Sequence, residues 1–176
     1  MAPRILNKKV EHLSEWVSLN KKTIKIKNKI ETFLSFKQSD YVSVLAVTKD
    51  GMIPLVKQYR PAVEKFTLEL PGGLKEKNLT HYQSAKQELL EETGIILKDK
   101  PKLVCKIFPD VGRLSNSAYL YFVKIKRSKI NLFTNEKSIS CLLLKKKKII
   151  DLILKGKIKH SLHVAMILFA IQKKLI

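Results

Sequence analysis

The chain has 176 residues, 45% of them hydrophobic, which suits one domain with a real core or a core domain with a small appendage. Its 35 Lys and Arg against 15 Asp and Glu give a formal net charge of +20, a balance that favours anionic partners such as nucleotide diphosphates or nucleic acid. Membrane spanning and secretion are not indicated: the longest apolar run near the C-terminus, Val164 to Ile171, is too short for a bilayer, and Met1 to Val10 lacks the apolar segment of a signal peptide.

Cys105 and Cys141 lie far apart without metal-ligand spacing and read as reduced thiols of a cytoplasmic protein. The lysines are scattered rather than striped with aromatics. We therefore read most of them as solvated, and nucleic acid as the weaker partner. The run Lys145-Lys146-Lys147-Lys148 looks like a nucleic-acid patch but reads better as a solvated turn or helix start.

Residues 14–36 alternate loosely, as in Thr23-Ile24-Lys25-Ile26-Lys27, and predict a β-hairpin or two short strands. Tyr41 to Val47 is apolar and β-branched, a buried strand. Asp50-Gly51 marks a turn, and Met52 to Tyr59 is the partner strand. Phe66 to Leu70 is a short strand ended by Pro71-Gly72-Gly73. Thr80 and Gln83 form a capping box for a helix reaching Thr93, with Gly94 in the left-handed position beyond it. Strands follow at 103–108, 119–126 and 138–144, with a polar loop at 109–116. Helical spacing over 149–154 and 162–173, divided by Gly156, closes the chain. Strands and helices mix without strict alternation, which predicts an α/β fold with a mixed sheet covered by helices.

Glu88, Glu91 and Glu92 stand at i, i+3 and i+4, on one face of the predicted helix. Their mutual repulsion costs only roughly a few tenths of a kcal/mol per exposed pair, so a solvated face is allowed. Acids are scarce here, however, and three of the 15 fall within five residues. Clustered hard oxygens on a rigid element suit Mg²⁺ or Mn²⁺.

This segment resembles the box of the Nudix hydrolases, G-x5-E-x7-R-E-U-x-E-E-x-G-U with U apolar. Gly73 matches the opening glycine, and Glu88, Leu89, Glu91, Glu92, Gly94 and Ile95 match in order and spacing. Two positions depart. Leu79 stands where the box has Glu, and Gln87 where it has Arg. In the family those two side chains help fix the loop against the helix. The flanks look like the ADP-ribose pyrophosphatase branch, through Val56-Lys57-Gln58-Tyr59-Arg60-Pro61 and Glu69-Leu70-Pro71-Gly72-Gly73-Leu74.

The resemblance implies a Nudix α/β/α sandwich over 37–176 and N-terminal strands over 1–36 that pair across a homodimer. It implies hydrolysis of ADP-ribose or a related nucleoside diphosphate sugar to AMP and a sugar phosphate. Mg²⁺ or Mn²⁺ would be held by Glu88, Glu91, Glu92 and the carbonyl of Gly72. Arg60 would grip a substrate phosphate through paired hydrogen bonds, and Leu74 would offer a backbone contact. Asp110, before Gly112-Arg113-Leu114-Ser115-Asn116, is either a substrate-contacting acid or a turn former. Glu136 is the expected general base, and Glu91 would share metal binding or orient water. His160 and His163 read as structural. Trp16 fits a base stack or, better, an interface or core position. The alternatives are a Nudix enzyme for another nucleotide sugar or a capped RNA end, a Nudix fold that binds nucleotide without cutting it, and a protein that binds nucleic acid by charge alone.

Overall fold

The computed structural model describes residues 2–126, 132 and 138–176. It opens with an antiparallel sheet of β1 (Arg4–His12), β2 (Ser18–Ile26) and β3 (Lys29–Lys37). The expected hairpin over 14–36 is β2 and β3, paired antiparallel, and β1 adds a third strand that was not expected. β1 escaped notice because every residue in it is exposed and its register slips between Ile5 and Asn7, so it has no two-residue burial rhythm. Backbone bonds from Phe36 N–H to Arg113 O (2.7 Å) and from Ser115 N–H to Phe36 O (3.0 Å) dock this sheet onto the body.

The body contains β4 (Tyr41–Thr48), β5 (Met52–Arg60), β6 (Lys65–Glu69), β7 (Gly72–Leu74), α1 (His81–Thr93), β8 (Lys102–Ile107), β9 (Ala118–Ile125), β10 (Ile139–Lys145), α2 (Lys146–Leu154) and α3 (Ser161–Gln172). The expected mixed sheet divides in two. One is mixed, in the order β7-β4-β9-β8, with β4 parallel to β9 and antiparallel to β7. The other is antiparallel, in the order β10-β5-β6. Gly72-Gly73-Leu74, expected only as a turn, forms the short edge strand β7.

β4 and β9 are covered on both faces, which explains their near-continuous apolar sequence. Val42, Val44, Ala46, Tyr121 and Val123 pack with Ala85 and Leu89 of α1. The alternate residues Leu45, Leu120 and Phe122 pack with Leu162, Met166 and Ile167 of α3 and with Leu55 of β5. This is an α/β/α sandwich, as expected. No helix among the described residues is long and apolar enough to cross a membrane.

α1 begins as its capping box predicts, with the Thr80 N–H donating to Gln83 Oε1 at 2.9 Å. It ends on Gly94, whose φ of 73° is strained for residues with a Cβ. The lysine run proves to be a helix start: Lys145 precedes α2 and the next three form its exposed first turn. Cations are disfavoured at that end of the helix dipole, so they stay in solvent.

Leu89 carries the seating of α1 and is fully buried. Leu89→Ala should cost about 2–5 kcal/mol, the usual range for a buried leucine. Denaturant unfolding would show this as a lower midpoint, and an unchanged midpoint would contradict the assigned packing.

Candidate active site

Two carboxylates, of Glu88 and Glu92, meet the glycines of β7 where that strand lies against α1. Glu92 is 3% exposed, and its Oε2 accepts the Gly72 N–H at 2.9 Å. The Cys141 thiol of β10 donates to the Glu92 carbonyl. The helix is thereby gripped at one residue from two sheets. Gly73 pairs with Val42, on the sheet face that α1 covers. A Cβ on Gly73 would lie 2.4 Å from Glu88 Oε1, so the missing side chain is the space that the Glu88 carboxylate fills. Glu91 is half-buried, and its Oε1 accepts from Gln87 Nε2 at 2.9 Å. The residue in the box arginine's place therefore steadies one of the acids.

The loop before α1 is tied down without a Glu–Arg pair. Glu76 N–H donates to Ser84 Oγ at 3.1 Å. His81 Nε2 meets Asp40 Oδ2 at 2.9 Å, and the His81 ring stacks on Tyr119 at 3.7 Å between centroids. Burial would raise the Asp40 carboxyl, but the Ser117 amide and His81 outweigh it and hold the group below its ordinary value.

Three carboxylates with a glycine strand beside them supply hard oxygens alone, a donor set that fits Mg²⁺ or Mn²⁺. Two of these carboxylates act on Tyr41 together with Glu69. Burial first, then Glu69, Glu92 and Glu88, push its phenol well up.

A second group resembles a metal centre more superficially. Ligand atoms of Glu69, His160 and His163 lie within 4.8 Å of one another. Two of the three are already committed. Glu69, 1% exposed, accepts Arg60 Nε at 2.8 Å and Nη2 at 2.7 Å, and the Thr67 hydroxyl as well. His163 Nδ1 accepts the Leu70 N–H at 3.1 Å, which leaves Nε2–H to donate to Tyr41 Oη at 2.9 Å. A cation would have to break these bonds. We assign the cluster as a buried hydrogen-bond network. Burial, His160 and Arg60 push His163 well below the ordinary imidazole range, so it is neutral.

The sequence-predicted residues are therefore placed unevenly. Glu88 and Glu92 meet the Gly72-Gly73 strand, while Glu91 bonds to Gln87 on the same helix. Arg60 lies close enough to sense Glu92, but its expected phosphate fork is turned onto Glu69. Among the described residues its Nη1 meets no acceptor, which leaves that edge for an anion. Leu74 is half-buried in β7 opposite Tyr41. Asp110 behaves as the turn former: Oδ1 accepts the amides of Gly112 at 2.8 Å and Arg113 at 3.1 Å. Trp16 is 63% exposed and not a core residue. Glu136 lies outside the described residues. Sequence reasoning gave no role to Glu69, Tyr41 or Cys141. One signal was available for Glu69: an acid placed nine residues after Arg60, across a hairpin, in a chain poor in acids.

No family model matches the chain. The fold is nevertheless that of a Nudix hydrolase. The crystal structure of an ADP compounds hydrolase superimposes with a TM-score of 0.80 over 98% of this chain and 94% of its own, at 17% identity. By sequence, the chain is 44% identical over 62 residues to an ADP-ribose pyrophosphatase of Bacillus subtilis, 35% of this chain and 34% of that protein. It is 42% identical over 91 residues, 49% of this chain and 40% of the other, to a Caenorhabditis elegans protein whose name assigns it to the nudix hydrolases. A methanol dehydrogenase activator of Bacillus methanolicus is 43% identical over 53 residues, 30% of this chain and 29% of that protein. These matches span about a third of the relatives' length. The chain thus resembles the Nudix hydrolases and, among them, an ADP-ribose pyrophosphatase.

The Arg60–Glu69 pair makes a pH prediction. Burial alone would raise Glu69, but the hydrogen bonds from Arg60 and Thr67 and the Arg60 charge hold it below its ordinary value of 4.5. A depressed carboxyl contributes stability above its unfolded value and loses it as pH falls through the folded one. Arg60→Met leaves the carboxylate buried and unpaired, a loss of roughly 3–5 kcal/mol for a fully buried pair and less here because Arg60 is partly exposed. The stability gap to wild type should be widest at pH 7 and narrow towards pH 4. A gap independent of pH in denaturation would contradict the assigned pair.

Proposed function

We propose that this chain is a divalent-metal-dependent Nudix pyrophosphohydrolase that cleaves ADP-ribose, or a related nucleoside diphosphate sugar, into AMP and a sugar phosphate. One observation carries the reading: two glutamates of α1 meet the Gly72-Gly73 strand, with the Glu92 carboxylate bonded to the Gly72 amide and Glu88 filling the space over Gly73. The local identity to an ADP-ribose pyrophosphatase supports the substrate class.

Glu88, Glu92 and the Gly72 carbonyl would hold Mg²⁺ or Mn²⁺, and Glu91 would share that task or orient the attacking water. The ion, when bound, neutralises charge that gathers on phosphate oxygens as the bridging phosphorus–oxygen bond breaks. Glu136 takes the water's proton in this reading, on the strength of the resemblance alone. The free edge of Arg60 receives a phosphate oxygen, and the backbone at Leu74 meets the nucleoside or ribose. Asp110 contributes by shaping its loop, with Oδ2 as its one remaining contact atom.

A homodimer through the N-terminal sheet completes the proposal. Ile30 and Leu34 are 65% and 56% exposed and project to one face of β3. Exposed apolar patches of this kind mark interfaces. Sedimentation should give the mass of two chains, falling to one in an Ile30→Glu, Leu34→Glu variant. A monomeric wild type would refute the dimer.

The activity is tested by incubating the protein with Mg²⁺ and a panel of nucleoside diphosphate compounds while following AMP release. Turnover of ADP-ribose is expected, with near-complete loss in Glu92→Gln. Tight nucleotide binding with no turnover of any panel member would instead favour a binding module, the reading to which Leu79 and Gln87 lend weight. Gly73→Ala should also lower turnover by at least about tenfold, since the new methyl must displace Glu88, and metal-site positioning typically carries effects of that size.

A further inference from the structure

The short segment that supplies Gly72 is held by three different elements. Leu70 and Gly72 own its only backbone donors, because Pro71 has no N–H. The Gly72 donor goes to Glu92 of α1. The Pro71 carbonyl accepts the Val44 N–H at 2.9 Å and the Ser43 hydroxyl at 3.0 Å, both from β4. The Leu70 donor goes to His163 in the first turn of α3, 93 residues further along the chain.

His163 is fully buried and stacks on His160 at 3.9 Å between ring centroids. Its two nitrogens face opposite duties. Nδ1 accepts from Leu70, and Nε2–H donates to Tyr41 Oη, so the ring bridges the glycine segment to the first residue of β4. Only a neutral imidazole protonated at Nε2 does both at once. Leucine at 163 would fill the space and leave the Leu70 amide buried without an acceptor.

We propose that His163 is a positioning residue for the cation site, fixing the Leu70-Pro71-Gly72 segment so that the Gly72 carbonyl and the Gly72–Glu92 bond stand in register with Glu88. This rests on the proposed metal-dependent reading of that site. Its role is distinct from holding a cation itself, because the Nδ1 lone pair is spent on Leu70. Residues behind metal ligands commonly govern metal affinity by about 10–100-fold.

The test is Mn²⁺ binding, read from the electron paramagnetic resonance signal of the free ion, in wild type, His163→Leu, His163→Gln and Tyr41→Phe. Circular dichroism and thermal unfolding establish that each is folded. His163→Leu should weaken Mn²⁺ binding by about tenfold or more. His163→Gln, whose amide can both accept and donate, should recover most of it. Tyr41→Phe, which keeps the acceptor for Leu70 and removes only the far anchor, should fall between, and it carries the test if His163→Leu does not fold. In ¹⁵N-labelled wild type, His163 should appear as the neutral Nε2–H tautomer. Folded variants that bind Mn²⁺ as tightly as wild type, or an Nδ1–H tautomer, would overturn the inference alone. A wild type that binds no Mn²⁺ would overturn the metal reading and this inference with it.

Discussion

The structure of the site depends on one hydrogen bond, from the Gly72 amide to the buried Glu92 carboxylate. A carboxylate at 3% exposure is costly unless its oxygens are bonded. The glycine strand is what bonds it. That contact holds β7 against α1, with Glu88 over Gly73 beside it. The sheet behind it is unusually firm. β4 is buried on both faces, pairs with β7 and β9, and supplies the Ser43 and Val44 groups that fix Pro71. Rigid support of this kind is what a metal site needs, since ligands displaced by an ångström lose their function.

A second buried carboxylate, Glu69, shows how the molecule handles charge next to that centre. Arg60 meets it with two hydrogen bonds, and Thr67 adds a third. The two histidines beside it are lowered by burial and do not compete for it as cations. The outcome is a neutralised pair next to the acidic face of α1. Most of the remaining basic charge is on the surface, including the exposed first turn of α2, where it can draw an anionic substrate inward without taking part in binding.

The acidic helix was readable in the sequence because its features are local. A capping box, three glutamates at helical spacing and a terminal glycine all fall between Thr80 and Gly94. The buried strand β4 was readable for the same reason, as a short β-branched run. What was not readable is long-range. Arg60 looked like a phosphate ligand because nothing in its own strand reveals that Glu69, beyond a hairpin, takes its fork. The bond from His163 to Leu70 spans 93 residues and leaves no spacing to detect. β1 lacked a period because none of its residues is buried. The strand character of Gly72-Gly73-Leu74 was hidden because glycines read as a turn until β4 pairs with them. Leu79 and Gln87 looked like losses, yet the loop is fastened instead by Glu76 with Ser84 and by Asp40 with His81.

Two clusters could receive a cation by composition. In Glu69, His160 and His163 the ligand atoms lie close together but two of the three are spent on other bonds, whereas the α1 glutamates flank the Gly72-Gly73 strand with hard oxygens alone. The decisive measurement is to add Mn²⁺ in small steps to ¹⁵N-labelled protein and follow which amide signals its paramagnetism broadens first. The account predicts that Gly72, Gly73, Glu88, Glu91 and Glu92 vanish earliest. Broadening centred instead on Glu69, His160 and His163 would contradict it.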